Sequence, residues 1–240
     1  MNEIQKKYQV QIEQIVEACH RLAELGYVTS SGGNLSIRVE EDLIWITPTK
    51  TSKRIMKFDD ICAVNLKGDI IFAPNGKFPT SETPFHTRIM KKRPDVTVVI
   101  HAHPPVMTGF AIANSDLLAK PVLPEPIMEV GPALIVKYAT PGSEELSKEF
   151  EAVIDDSNCF LMENHGVVLC GTTDIFEAVE QFQMMECMAV SVITALQLGN
   201  YKTIPEHYFK DMDHVIAQRN VAIPGAKGKY NSATELFKIS

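Results

Sequence analysis

Apolar positions recur at two periods along the chain. Between residues 3 and 25, Ile12, Val16, Cys19, Leu22 and Leu25 return at steps of three and four, which predicts an amphipathic helix stopped by Gly26. The small-residue run Thr29-Ser30-Ser31-Gly32-Gly33 then feeds a strand that starts near Asn34, and 43–47 reads as a second strand closed by Pro48. Apolar runs at 62–65 and 69–72 flank Leu66-Lys67-Gly68 and predict a hairpin. A helix is expected from Ser81 as N-cap, with Pro84 tolerated in its first turn and Pro94 beyond its end. The β-branched run 97–100 predicts an interior strand, followed by a short helix over 106–113. Further strands are expected at 134–138, 160–162 and 167–170, with a helix at 144–154. Ile175, Val179, Phe182, Met185, Ala189, Val192 and Leu196 stripe a long helix over about 175–198, capped by Asp174.

Beyond residue 200 the pattern is less regular. It holds Tyr201, Tyr208, Tyr230 and the stretch Gly225-Ala226-Lys227-Gly228-Lys229, so a loosely packed arm is expected over 200–240. The chain as a whole, 1–240, is expected to form one domain that mixes helices with short strands. A net charge of -7 with no basic stripe argues against a nucleic-acid surface. The five cysteines are odd in number and form no C-x-x-C pair, so buried thiols are expected rather than a disulfide framework. No run reaches the roughly 18 apolar residues of a membrane span, and Met1-Asn2-Glu3-Ile4 does not open a signal peptide. A cytoplasmic setting, without membrane or nucleic-acid partners, is expected.

The chemistry concentrates at Val98-Val99-Ile100-His101-Ala102-His103-Pro104-Pro105. A spacing of two puts both imidazoles on one face of a strand. At the end of an interior strand they carry a desolvation cost unless something pairs with them, and a metal ion is an economical partner. His165, in the tight turn Glu163-Asn164-His165-Gly166, can project over the same strand ends. Three neutral nitrogen ligands suit zinc or a similar divalent ion with positions left open for substrate; manganese or cobalt would also accept them. Glu82 begins a helix, where a carboxylate ordinarily favours the dipole. Beside a metal it becomes either a fourth ligand or an acid/base. His20 and His86 read as packing or capping residues, and His207 and His214 as surface residues. Gly33-Asn34, Thr47-Pro48-Thr49-Lys50-Thr51-Ser52-Lys53 and Thr80-Ser81 offer hydroxyls, amides and backbone N–H groups of the kind that cradle a phosphate.

Together these residues resemble the class II aldolase and adducin-head family, most nearly its L-fuculose-1-phosphate aldolase branch. The matching pieces are Gly32-Gly33-Asn34-Leu35-Ser36-Ile37-Arg38, Ile46-Thr47-Pro48-Thr49, Pro79-Thr80-Ser81-Glu82 with Phe85-His86, His101-Ala102-His103, Tyr138-Ala139-Thr140 and Asn164-His165-Gly166. The resemblance spans roughly residues 8–198. It implies an α/β fold, a three-layer α/β/α sandwich around a central, mainly antiparallel sheet. It also implies a homotetramer with active sites between subunits. It matches His101, His103 and His165 to the three zinc-binding histidines, and Glu82 to the glutamate that completes the metal site and serves as acid/base. Asn34, Thr49, Thr80 and Ser81 match phosphate-pocket positions. Lys50 stands where that branch has glycine, and its side chain would either reach the phosphate or alter the size of the pocket. The tail tyrosine that assists protonation would be Tyr208 or Tyr230.

The implied activity is reversible, metal-dependent cleavage of a ketose 1-phosphate to dihydroxyacetone phosphate and an aldehyde. Within the same fold the rivals are a sugar-phosphate 4-epimerase, a sugar-acid phosphate decarboxylase and a dehydratase of a methylthio-sugar phosphate. The epimerase branch has Asp at the position of Glu82, which favours the aldolase. An adducin-like interaction module without catalysis would be expected to lack the metal histidines. Pro141, where the branch has an aromatic residue, and the differing loop 121–133 leave the aldehyde end of the substrate open.

Overall fold

The computed structural model describes residues 2–238. Its frame is an eight-stranded sheet made of β1 (Asn34–Glu40), β2 (Leu43–Ile46), β3 (Cys62–Val64), β4 (Ile70–Phe72), β5 (Val98–Ala102), β6 (Ala133–Val136), β7 (Cys159–Met162) and β8 (Gly166–Gly171). The strand order is β4-β3-β2-β1-β5-β8-β7-β6. Every neighbouring pair is antiparallel except β6 with β7. The helices are α1 (Glu3–Lys7), α2 (Gln9–Glu24), α3 (Thr83–Lys92), α4 (Pro105–Ile112), α5 (Pro124–Glu129), α6 (Glu144–Glu149), α7 (Ile175–Gln197), α8 (Phe209–Arg219) and α9 (Ala233–Leu236).

The two-residue period of the strands sorts their side chains into two cores. Val98, Ile100 and Ala102 of β5 join Leu35, Trp45, Leu161 and Leu169 beneath α2, α4 and α7. Val99 joins Ile44, Ile46, Phe160 and Val168 beneath Phe85 and Ile89 of α3 and Leu146 of α6. The result is a three-layer α/β/α sandwich with a mixed, mainly antiparallel sheet, as expected. Alternation also sends His101 to the α3 side, where the Phe85 ring meets it edge-on at 5.8 Å.

Some local expectations change. The first helix is two, broken at Tyr8, whose buried ring packs against Trp45 and whose hydroxyl donates to Glu40. Ser81 is exposed and does not cap α3; Glu82 is the residue before it, and its carboxylate makes no cap bond. The tail is more ordered than its pattern implies. Phe209 and Ile216 of α8 and Ala233 of α9 close a small apolar cluster over Ile127 and Met128 of α5. Pro124 and Pro126 hide α5 from a periodicity reading, although Pro is tolerated in a helix's first turn.

Candidate active site

β5 lies between β1 and β8, and its C-terminal end carries the histidine pair. His101 faces Asn34 across one side of the strand and Val168 across the other. His103 follows one residue beyond the strand, with its ring centroid 4.8 Å from that of His101. The turn between β7 and β8 brings His165 alongside, 4.7 Å from the His101 ring centroid. Asn164 makes that turn with a φ of 51°, in the left-handed region where asparagine is tolerated.

The turn also needs Gly166. A Cβ there would stand 2.3 Å from His103 Cδ2 and 2.8 Å from the Ala102 carbonyl oxygen. On the other flank Gly33 has a φ of 72°, and a Cβ there would lie 2.8 Å from the His101 carbonyl oxygen. The motif glycines are therefore the space in which the histidines sit.

The ligand-capable nitrogens of His101, His103 and His165 all lie within 4.8 Å of one another. His101 Nδ1 is 3.0 Å from the Val167 carbonyl oxygen, which can only accept, so Nδ1 carries the proton and Nε2 presents a lone pair. That Nε2 stands 3.1 Å from His103 Nε2 and 3.3 Å from Glu82 Oε2. Glu82 Oε1 in turn is 3.4 Å from His165 Nε2. Electron-rich atoms this close are stable only around a proton or a cation. Four donors held at zinc bond lengths stand about 3.3–3.4 Å apart in a tetrahedron, close to the three separations found here.

Two further observations fit a divalent ion. Glu82 Oε1 is buried without a hydrogen-bond partner, and so is His165 Nδ1. All three imidazoles are also held neutral. Burial pushes His101 well below the ordinary histidine range, aided by His103 and His165. Burial, then the neighbouring His165 and Lys53, lowers His103 to about 4. Burial lowers His165 against the opposing pull of Glu82. Neutral imidazole is the metal-binding form.

The phosphate candidates cluster at one flank. Thr49 N–H donates to the Phe78 carbonyl and Thr80 N–H to the Thr47 carbonyl, so the two threonine segments lie side by side. The Thr80 hydroxyl accepts from Glu82 N–H at 3.3 Å. Lys50 and Ser81 are exposed beside them. Asn34 sits deeper, with its amide already engaged: Nδ2 donates to Glu82 Oε2 at 2.7 Å and Oδ1 meets His86 Nε2 at 2.5 Å. The tail tyrosines do not join the histidines within this chain. Tyr230 donates to Asp156, near the end of the sheet where β7 begins, opposite the histidines. Tyr208 is half exposed and lines an apolar recess with Pro124, Met128 and Met212.

Three residues of this region carry no role in the sequence reading. His86 was expected only to pack, yet both of its ring nitrogens are hydrogen-bonded. Lys53 is 1% exposed, and its ammonium donates to the Ser31 and Thr51 carbonyls, tying together the two loops that flank the site. Glu186 of α7 accepts from Val106 and Met107 N–H, fixing the start of α4 directly after His103. Apolar neighbours in α7 conceal Glu186, and Lys53 is one of several polar residues in a hydroxyl-rich loop with nothing to single it out.

The chain is similar to known proteins to different degrees. The chain is 36% identical over 178 residues to the L-fuculose phosphate aldolase of Methanococcus maripaludis, covering 74% of this chain and 93% of that protein. It is 26% identical over 207 residues to the 3-oxo-tetronate 4-phosphate decarboxylase of Haemophilus influenzae, covering 85% of this chain and 96% of the other. Among solved structures, a sugar-phosphate aldolase from Thermotoga maritima superposes with a TM-score of 0.73 at 25% identity, covering 82% of this chain and all of that one. Residues 13–192 match the model of the class II aldolase and adducin N-terminal domain. The chain belongs to the class II aldolase and adducin family.

Proposed function

We propose that the protein is a divalent-metal-dependent aldolase that cleaves a ketose 1-phosphate reversibly to dihydroxyacetone phosphate and an aldehyde. The observation that carries this reading is the Glu82 carboxylate. One oxygen is held by Asn34, while the other is buried, unpartnered and 3.4 Å from His165. His101, His103 and His165, with Glu82 in the resting state, would hold the ion: zinc from the donor set, with manganese or cobalt able to replace it. A divalent ion there supplies Lewis acidity towards a substrate carbonyl.

The chain's own groups do the rest. Glu82 holds and returns the proton exchanged at C3 of the retained three-carbon fragment, as a general acid/base. The Thr49 and Thr80 segments, with Asn34, Lys50 and Ser81 beside them, receive the phosphate, and their paired backbones keep that pocket at a fixed distance from Glu82. Burial around His101 removes water from the reacting end of the substrate. The 36% identity to an L-fuculose phosphate aldolase supports the aldolase reading. The longer alignment with a 3-oxo-tetronate 4-phosphate decarboxylase favours one alternative, loss of carbon dioxide from a sugar-acid phosphate on the same site.

Incubation with ketose 1-phosphates and with 3-keto sugar-acid phosphates, followed by carbon-13 NMR, separates the two. Dihydroxyacetone phosphate with an aldehyde supports the proposal. Carbon dioxide from the acids, without cleavage of the ketoses, overturns it. We further expect a homotetramer with the site between subunits, which would let Tyr208 or Tyr230 of a neighbour approach it. Ile70, Ile71 and Phe78 are exposed on and beside the edge strand β4, apolar surface of the kind assembly covers. Light scattering on the purified protein tests that state.

A further inference from the structure

The proton positions in the buried polar chain behind Glu82 follow from its chemistry. Asn34 Nδ2 can only donate, and it does so to Glu82 Oε2 at 2.7 Å. That fixes Asn34 Oδ1 as the end facing His86. An amide oxygen only accepts, so His86 Nε2, 2.5 Å away, must carry a proton. His86 is fully buried and its pKa is lowered to about 3, so the ring is neutral and Nδ1 has a lone pair. That lone pair accepts the Ser36 hydroxyl at 2.7 Å. With the buried ring neutral, the directions are Ser36 O–H to His86 Nδ1, His86 Nε2–H to Asn34 Oδ1 and Asn34 Nδ2–H to Glu82 Oε2.

The ring itself has little freedom. It stacks on Phe85 at 4.6 Å between centroids, and Phe85 stacks in turn on Phe150 at 5.5 Å. Ser36 and Asn34 sit on β1, and Ser36 is fully buried. Glu82 and His86 stand four residues apart at the start of α3 and so share one helix face. The chain thus joins the helix to the strand through side chains alone.

We propose that His86 is a positioning residue: by fixing the orientation of the Asn34 amide it holds one oxygen of Glu82 and aims the other at the histidine cluster. Without the Nε2–H donor, the Asn34 amide can flip. It would then present its oxygen to the carboxylate and repel it. The role is separate from phosphate binding, for which the Asn34 amide keeps only its second Nδ2–H. The inference rests on the aldolase reading for its kinetic consequence, and on hydrogen-bond geometry together with the burial of the ring for its proton assignment.

The two parts are tested separately. Nitrogen-15 NMR of the metal-free wild-type protein at pH 7 should show His86 neutral, with its proton on Nε2 and in slow exchange with solvent. A charged ring, or the proton on Nδ1, overturns the proposal whether or not any sugar phosphate is cleaved. For catalysis, His86→Phe keeps the stack on Phe85 and removes both nitrogens, whereas His86→Gln returns an amide N–H near the place of Nε2. With a ketose 1-phosphate, His86→Phe should lower kcat on the order of 10–100-fold, with KM and inhibition by inorganic phosphate changed less than about threefold, and His86→Gln should recover part of kcat. Unchanged kcat in His86→Phe, or a raised KM at unchanged kcat, overturns the positioning role. If His86→Phe does not fold, the wild-type proton assignment and the kcat of His86→Gln against Asn34→Ala decide: the glutamine variant must be the more active. If wild-type protein cleaves no ketose 1-phosphate, the aldolase reading fails and the NMR result alone decides the relay.

Discussion

Gly166→Ala places one methyl group where the site has no room for it. The added Cβ would lie 2.3 Å from His103 Cδ2, 2.8 Å from the Ala102 carbonyl oxygen and 3.1 Å from His101 Cε1. The Ala102 carbonyl cannot retreat, because Ala102 pairs with Val167 in the β5–β8 ladder. The His103 ring must move instead. Carbon atoms in ordinary contact are about 3.5–4.0 Å apart, so the ring has to shift by more than 1 Å. Metal–ligand bonds tolerate deviations of only about 0.2 Å, so His103 leaves the donor set. An affinity loss of about 100-fold is expected, equivalent to about 2.7 kcal/mol, together with about 1–3 kcal/mol of destabilisation from overpacking. Gly171→Ala is the matched control. It overpacks the far end of β8 against Ala178 Cβ at 2.9 Å and Val98 Cβ at 3.2 Å, away from the histidines. Competition for zinc against a coloured chelator, with urea unfolding in parallel, reads both quantities. Gly171→Ala should lose stability and keep its metal affinity; Gly166→Ala should lose both. Wild-type zinc affinity in Gly166→Ala would mean that this glycine does not make the space for the ligand set.

Glu82→Gln keeps the size of the side chain and an oxygen for Asn34 but removes the carboxylate proposed as acid/base; kcat should fall on the order of 100- to 10,000-fold, and near-normal turnover would exclude that role. The metal-free protein should weaken in acid. His86 and His101 have folded pKa values depressed below the ordinary 6.5, so their contribution is present above that pH and is lost as the pH falls towards the folded values. For His86 the slope is about 1.4 kcal/mol per pH unit below 6.5; urea midpoints measured with chelator present, if flat from pH 7 to 4.5, contradict it. Arg93 is buried and donates to Asp95, Asn158 Oδ1 and the carbonyls of Ile154, Ser157 and Gly225. Arg93→Met should cost about 3–5 kcal/mol in urea unfolding, because it leaves these acceptors and Asp95 unpaired, while kcat, measured well below the melting temperature, stays unchanged.

The elements of the fold were legible because the apolar periods change from 3.6 to 2, while their arrangement in three layers was implied only by the family resemblance. Strand alternation put both imidazoles on one face, and only the structure shows that His101 meets the α3 side. Helix α5 was not legible, since its two prolines look like loop punctuation. Nor was α8, whose apolar stripe of Phe209, Met212 and Ile216 is interleaved with charged residues and finds its partner only in α5 and α9. At the site, the H-x-H spacing and His165 sufficed to expect three imidazoles together, because two strand ends and a tight turn leave them few other places. The role of His86 needed the register between β1 and α3. Its traces were present, with Asn34 and Ser36 two apart on a strand and Glu82 and His86 four apart on a helix, but only the fold sets those two faces against each other. Lys53 was visible only as part of a polar loop, because the burial of an ammonium satisfied by carbonyls depends on where loops end rather than on neighbours in sequence.

Carbon–carbon bond cleavage should require a divalent ion held by His101, His103 and His165, with Glu82 beside it. Titrating zinc into chelator-stripped protein while following dihydroxyacetone phosphate release tests it most directly. Cleavage should be absent at the start and rise to a plateau at one equivalent of metal per chain. Full cleavage by the stripped protein, or metal uptake at that stoichiometry without any cleavage of ketose 1-phosphates, would contradict it.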